Sequence, residues 1–363
     1  MIRMLLTDNY THDQMPHDQG EGMDNAFPLI GGYLLVVVVL GTMGNVTVIY
    51  TFLRVKKLHS PTNLLIVNLS ASDLLVATTG TPLSMISNFY GRWIFGSHTC
   101  AFYGFVNYYC GCISLNSLAA ISVFRYIIVV RGNVQNQRLT LRSSVYAIGI
   151  IHLYTMIFAT PPLYGWNRFV LAGFHTGCDI DFHTKTPLFI SYICYMFFFL
   201  FFLPLGLISW SYFKIYQRVS QHSDSMRTTF THVATETNSD EKRVWLEQMK
   251  NTKLLHKPVK LLRLKPKFKP RFHQRRTAST ILITIAVFLI SWLPYCIVSL
   301  WILIDDENSI SQLSATIPSL FAKSAVMYNP LIYAVMNSRF RKAFLKSLSS
   351  LKCPGRHELN QSN

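Results

Sequence analysis

The chain has 363 residues, half of them hydrophobic and 14% charged, with a positive mean hydropathy. That is too apolar and too aromatic for an ordinary soluble domain, and a soluble enzyme is excluded with it. The formal charge of +17 does not point to nucleic acid either, because the cations sit in segments that flank apolar runs and not on a soluble domain.

Residues 1–27 are polar and acidic and lack an apolar signal-peptide core, so the first apolar run is expected to direct its own insertion. Asn9-Tyr10-Thr11 is an acceptor sequon for N-linked sugar; Asn45-Val46-Thr47 and Asn68-Leu69-Ser70 match the same pattern inside apolar runs, where they should stay unmodified. Runs of about 20 or more apolar residues then recur, each able to cross a hydrocarbon core roughly 30 Å thick. They lie near 28–53, 61–89, 98–131, 143–164, 187–217, 275–303 and 313–335. The expected fold is an all-α membrane protein, a seven-transmembrane helix bundle over 28–335. A long loop interrupts it at 218–275, and a tail follows over 336–363.

The cations orient this bundle. Arg54, Lys56 and Lys57 follow the first run, and Arg125, Arg131, Arg138 and Arg142 bracket the link from third to fourth. A basic field spans Arg243 to Arg276, and Arg339, Arg341, Lys342 and Lys346 follow the seventh run. The positive-inside rule therefore places the amino terminus outside and the carboxy terminus in the cytoplasm of an integral membrane protein. The basic loop suits anionic lipid or calmodulin, with plain positive-inside charge as the simpler reading. After the seventh run, Phe340, Phe344, Leu345 and Leu348 form an apolar stripe opposed by cations, as in an amphipathic helix on a membrane surface. Cys353 behind it is a candidate for palmitoylation, against an unmodified cytosolic thiol. Prolines at 82, 161, 162, 204, 294, 318 and 330 remove backbone hydrogen bonds and permit kinks.

Lys323 stands where a lysine is costly. It is flanked by apolar residues for about two turns on each side, too far from an interface to snorkel. An ammonium at mid-bilayer costs at least a few kcal/mol, so an intramembrane lysine is a functional-site hypothesis by default. Burial disfavours the charged form of an amine, and the neutral amine attacks an aldehyde to form a Schiff base.

Phe321-Ala322-Lys323-Ser324-Ala325, Tyr328-Asn329-Pro330-Leu331-Ile332-Tyr333 and Trp292-Leu293-Pro294-Tyr295 together resemble the seventh and sixth helices of opsins, members of the rhodopsin-like G-protein-coupled receptors. The resemblance covers roughly Phe27 to Leu351 without the long loop. It implies a light-activated receptor that carries retinal, 11-cis in the dark, on Lys323 as a Schiff base. It further implies a heterotrimeric G protein, arrestin and a receptor kinase as partners, and a plasma or photoreceptor membrane as location. The rival readings are a retinal photoisomerase and a receptor for a diffusible ligand anchored at Lys323. Carried over residue by residue, the pocket comprises Tyr103 and Gly111; Met196, Phe197 and Phe201; Phe288, Trp292 and Tyr295; and Ser319 and Ala322, with Ile180 as a lid. Cys100 and Cys178 match the family's disulfide, and Arg168 with Asp181 its structural ion pair. Asp73, Asn45 and Asn329 resemble the family's polar network; Arg125, Tyr126, Tyr212, Pro330 and Tyr333 match its G-protein coupling and activation residues.

The chain departs from the pattern in three places. Opsins usually supply a carboxylate beside the linkage nitrogen, but the matching Tyr103, Ala172 and Ser84 are all neutral. That leaves Asp179 as the counterion candidate, a bound inorganic anion such as chloride as the second, and an unprotonated nitrogen as the third. Phe124 replaces the acidic neighbour of Arg125, which should loosen the inactive state. His152 replaces a tryptophan and is expected to be a satisfied packing residue.

Overall fold

The computed structural model describes residues 26–131, 139–236, 269–305, 311–336 and 341. Among them the apolar runs become seven long helices: α1 Ala26–Arg54, α2 Pro61–Phe89, α3 Gly96–Arg131, α4 Leu141–Ala159, α5 Pro187–Glu236, α6 Lys269–Ile304 and α7 Gln312–Met336. The first six are long and apolar enough to cross a membrane on length and composition alone. α7 falls outside that set because Gln, Ser, Thr, Asn and Lys dilute its apolar residues. α5 continues past the expected end at 217, and α6 begins before 275. Asn9, Cys353 and the stripe of Phe340, Phe344, Leu345 and Leu348 lie outside the described residues.

Helix starts follow from local chemistry. Ser60, Thr140 and Thr186 each accept a hydrogen bond from the backbone three residues on, and prolines follow Ser60 and Thr186 where a helix has no amide to lose. Before Pro82 the turn widens over Val76–Gly80, and the hydroxyls of Thr78 and Thr79 donate to the carbonyls of Leu74 and Leu75 at 2.7 and 2.6 Å. A second wide turn, Phe197–Phe202, precedes Pro204 in α5. Both wide turns lie just before a proline, which has no amide to offer the helical ladder.

The bundle carries apolar residues on its outside and polar ones within. Val36, Met43, Tyr146, Ile150 and Leu153 are exposed, whereas Asn45, Asp73, Ser114 and Asn329 are buried. Such a surface suits lipid and not water. α3 lies at the centre, packed against α2, α4 and α5, while α7 closes the ring against α6 and α1. Gly44 allows the last of these contacts: a Cβ there would meet Pro330 of α7 at 2.8 Å.

One element breaks the all-α expectation. Between α4 and α5, β1 Phe169–Ala172 pairs antiparallel with β2 Gly177–Ile180, with Val170 opposite Asp179 and Leu171 opposite Cys178. A disulfide from Cys178 to Cys100 pins β2 to the start of α3. The open end of the hairpin is knotted: Asn167 Oδ1 accepts from the amides of Arg168 and Asp181, and Arg168 Nε meets Asp181 Oδ2 at 3.0 Å. The ends of this four-residue pair carry no period-2 pattern, so neither strand was legible from the sequence.

His152 is satisfied at both ring nitrogens. Asn68 donates its Nδ2 to Ser117, so its Oδ1 must accept, which makes His152 Nε2 the donor at 3.0 Å. Nδ1 is then the acceptor from Tyr109 Oη, also at 3.0 Å. One side chain of α4 therefore ties α2 to α3. We expect His152→Phe, which orphans Tyr109 Oη and Asn68 Oδ1, to cost about 1–3 kcal/mol. His152→Trp, which restores only the Asn68 bond, should cost less; equal melting temperatures for the two variants would refute this assignment.

Candidate functional site

Two cavities meet at Lys323. The inner one, about 150 Å³, lies between α3, α5, α6 and α7. The outer one, about 410 Å³, lies under the hairpin at the end of the bundle that carries it. Lys323 lines both, and so do Asp179, Ile180, Tyr295 and Ser319.

Every residue that the sequence reading assigns to the pocket lines the inner cavity. α3 contributes Tyr103 and Gly111, and α5 contributes Met196, Phe197 and Phe201. Phe288, Trp292 and Tyr295 come from α6, Ser319, Ala322 and Lys323 from α7, and Ile180 from β2. The α6 residues form a ladder: Phe288 stacks on Trp292 at 5.7 Å, and Trp292 meets Tyr295 edge-on at 6.0 Å. Gly111 gives the ladder its room, since a Cβ there would stand 2.8 Å from the Trp292 ring. Lys323 Nζ lies 3.5 Å from Ser319 Oγ, one turn away on the same helix. The arrangement is an amine at one end of an apolar, aromatic slot, which fits an elongated apolar aldehyde.

Sequence reasoning missed several lining residues. Cys112, Cys296, Tyr108 and Leu200 also face the inner cavity. A helical phase fitted to Gly111, Trp292 and Met196 would have found Tyr108, Cys296 and Leu200, which lie three or four residues from them on the same stripe.

Electrostatics at the hairpin end centre on two aspartates. Asp179 Oδ1 accepts from the amide of Ile180 at 2.8 Å, and its Oδ2 accepts from Tyr295 Oη. Burial pushes this carboxyl above the usual range; the bonds from Tyr295 and Ile180 and the charge of Lys323 offset only part of that. Asp181 goes the other way. Burial opposes its charge, but bonds from the Thr184 amide and hydroxyl, Arg168 and the His183 amide outweigh it and hold the carboxyl below the usual range. Tyr103 Oη is buried without a hydrogen-bond partner, and it converges with Ser84 Oγ on Gly177, where a Cβ would lie 3.1 and 3.6 Å from them.

Toward the other end, Asp73 accepts from Ser114 Oγ at 3.0 Å and Asn329 Nδ2 at 2.7 Å. Asn45 does not bond this carboxylate; it donates to the carbonyl of Val326 on α7 at 2.8 Å, so the expected trio is two adjoining links. Pro330 follows Asn329 in α7, and Tyr333 is buried one turn on. Phe124 is packed into the core beside Leu65 and Leu69, while Arg125 Nε is buried without a partner among the described residues. Tyr126 lies against Trp210 at 4.7 Å, and Tyr212 packs against the same core as Phe124.

Residues 44–333 match the family model described as "7 transmembrane receptor (rhodopsin family)". The chain is 34% identical to "Rhodopsin, GQ-coupled" of Mizuhopecten yessoensis over 327 residues, 90% of this chain and 60% of that one. It is 28% identical to "Melanopsin" of Branchiostoma belcheri over 89% of this chain and 42% of that one. Against "Melanopsin" of Phodopus sungorus the values are 31%, 90% and 64%. The chain thus spans less than two thirds of the length of each of these relatives. The crystal structure of squid rhodopsin superposes with a TM-score of 0.75 at 28% identity, covering 91% of this chain and 87% of that one.

The Asp179 carboxyl yields a pH signature for the chain without added ligand. A raised carboxyl contributes stability that is complete below its unfolded value and is lost as pH rises through the folded one. Asp179→Asn can keep an acceptor for the Ile180 amide and turn its NH2 to donate to Tyr295 Oη, but cannot ionise. Its melting temperature relative to the native chain should therefore climb as pH rises above the ordinary carboxylate range; a constant offset would show that Asp179 does not titrate abnormally.

Proposed function

The chain belongs to the rhodopsin family of seven-transmembrane receptors, among the opsins, and we propose that it is a light-activated, G-protein-coupled receptor holding retinal covalently on Lys323. The observation that carries this reading is the placement of the Lys323 amine at the end of a slot walled by Phe197, Phe201, Phe288, Trp292 and Tyr295. When bound, retinal, 11-cis in the dark, supplies light absorption and a change of shape on isomerisation. The protein's part is to hold the amine, enclose the apolar ligand and register that change. Trp292, held by Gly111, Phe288 and Tyr295, is the side chain best placed to register it. Pro294 and Pro330 interrupt α6 and α7 close to the slot, which supports relaying motion to the far end.

In the proposed orientation the hairpin end is extracellular and the far end cytoplasmic. There Arg125, Tyr126, Tyr212 and Tyr333 would meet the G protein once the Asp73–Asn329 link rearranges. A relative named for Gq coupling makes the Gq class the first partner to test. Arrestin and a receptor kinase complete the proposed partners.

The charge beside the linkage nitrogen has two candidates in this site. Asp179 shares both cavities with Lys323 and is steadied by Tyr295. An inorganic anion, chloride first, is supported by the unpartnered Tyr103 hydroxyl beside Ser84. Absorbance of the purified pigment separates them. A visible maximum that shifts to the ultraviolet in Asp179→Asn assigns the carboxylate, and one that shifts on chloride removal assigns the anion.

The main reading is tested by incubating the expressed chain with 11-cis-retinal, reducing with borohydride and mapping the adduct. We expect the adduct on Lys323 and a light-sensitive absorbance band that Lys323→Ala lacks. Absence of both would refute the reading. In cells, Phe124→Glu should lower signalling in the dark, because it gives Arg125 an acidic neighbour; equal dark activity would show that the missing carboxylate is immaterial.

A further inference from the structure

The outer cavity has no role in holding an apolar ligand, yet it is the larger of the two. Its walls differ in kind from those of the inner slot. Ser84, Asn88, Thr176, Ser299 and Thr316 bring hydroxyl and amide groups, and exposed His175 and His183 stand at its rim. Its floor is Lys323 with Asp179 and Ser319. Lys323 itself is only half-buried in a chain whose core polar residues are almost all closed off. A chamber of about 410 Å³ with hydroxyl and amide groups in its walls and exposed imidazoles at its mouth has both the room and the polar partners that water needs.

We infer that the outer cavity is an aqueous vestibule through which small, water-soluble carbonyl compounds reach the Lys323 amine from the hairpin end, without crossing lipid. The site takes aldehydes or oxoacids small enough to pass the rim. The amine nitrogen adds to the carbonyl carbon, the carbonyl oxygen leaves as water, and an imine remains. The same route exposes any imine on Lys323 to attack by water or by a dissolved nucleophile. The vestibule depends on Lys323 being the reactive amine of the proposed function, but not on which apolar ligand fills the inner slot.

Glyoxylate tests the route, because its carboxylate prevents entry through the apolar flank of the bundle. Intact cells displaying the chain without retinal are treated with glyoxylate and cyanoborohydride, whose hydride reduces the imine carbon and leaves a stable carboxymethyl group. Lys323 should carry that group at a rate within about tenfold of exposed Lys185 on the same face. Lys185 modified and Lys323 untouched would overturn the proposal. Ala172→Phe and, separately, Ala315→Phe place a ring at positions that line only the outer cavity. Either should slow modification of Lys323 at least tenfold and leave Lys185 unchanged; native rates in both variants would overturn the proposal. Retinal added beforehand separates this from the functional reading. If glyoxylate reaches Lys323 and retinal gives no protection, the retinal assignment fails while the vestibule stands.

Discussion

A primary amine held inside an apolar bundle is the constraint on which the rest of this structure depends. An ammonium in such surroundings costs at least a few kcal/mol unless dipoles or an opposite charge face it. α7 offers only Ser319 Oγ nearby, at 3.5 Å. The carboxylate that shares the amine's cavities comes instead from the hairpin, on a strand of four residues. Two devices hold it there: the disulfide from Cys178 to Cys100, and the Asn167, Arg168 and Asp181 knot that closes the hairpin's open end. Elements that look peripheral to the bundle therefore set the electrostatics of its centre.

The slot's shape rests on absence of bulk as much as on its aromatic walls. Gly111 lets the Trp292 ring lie against the α3 backbone, and any side chain at that position would have to move the ring. The same logic operates between α1 and α7, where Gly44 admits Pro330. These contacts place both proline breaks close to packed partners. Bending α6 or α7 must then displace Trp292 or the α1 backbone, so motion at the slot and motion at the far end are mechanically joined.

Much of this was legible in the chain itself. Spans declared themselves by length and apolarity, and Lys323 by its cost, because both are properties of one segment read alone. The pocket residues followed from a motif that placed each on a known face of a helix. What escaped depends on partners distant in sequence. The hairpin is too short to show a period, and its strands exist because Cys178 is tethered to Cys100 and Asn167 bridges to Asp181. Cys112 escaped because nothing local marks a thiol as facing a cavity. His152 could be guessed to be satisfied, but not by Asn68 and Tyr109, which lie 84 and 43 residues away. Asn45 was placed in the right neighbourhood but its partner, the Val326 carbonyl, was not, since a polar side chain in a helix reveals its face and not which acceptor it will find.

The two departures along α3 share one physical consequence. Tyr103 and Phe124 each stand where the family resemblance calls for an acid, and each is a buried aromatic ring. Each leaves a cation, Lys323 at one end and Arg125 at the other, without a carboxylate on that helix. The ends resolve this differently. At the hairpin end Asp179 lines both cavities that Lys323 lines, and Tyr295 of α6 donates to it, so a hydrogen bond joins the hairpin to α6. At the far end Arg125 Nε has no partner among the described residues, and the phenyl ring beside it gains packing but offers no acceptor. α3 thus carries neither of the acids that the family resemblance places near its two ends. Restraint on α6 at the hairpin end comes from the Tyr295–Asp179 bond.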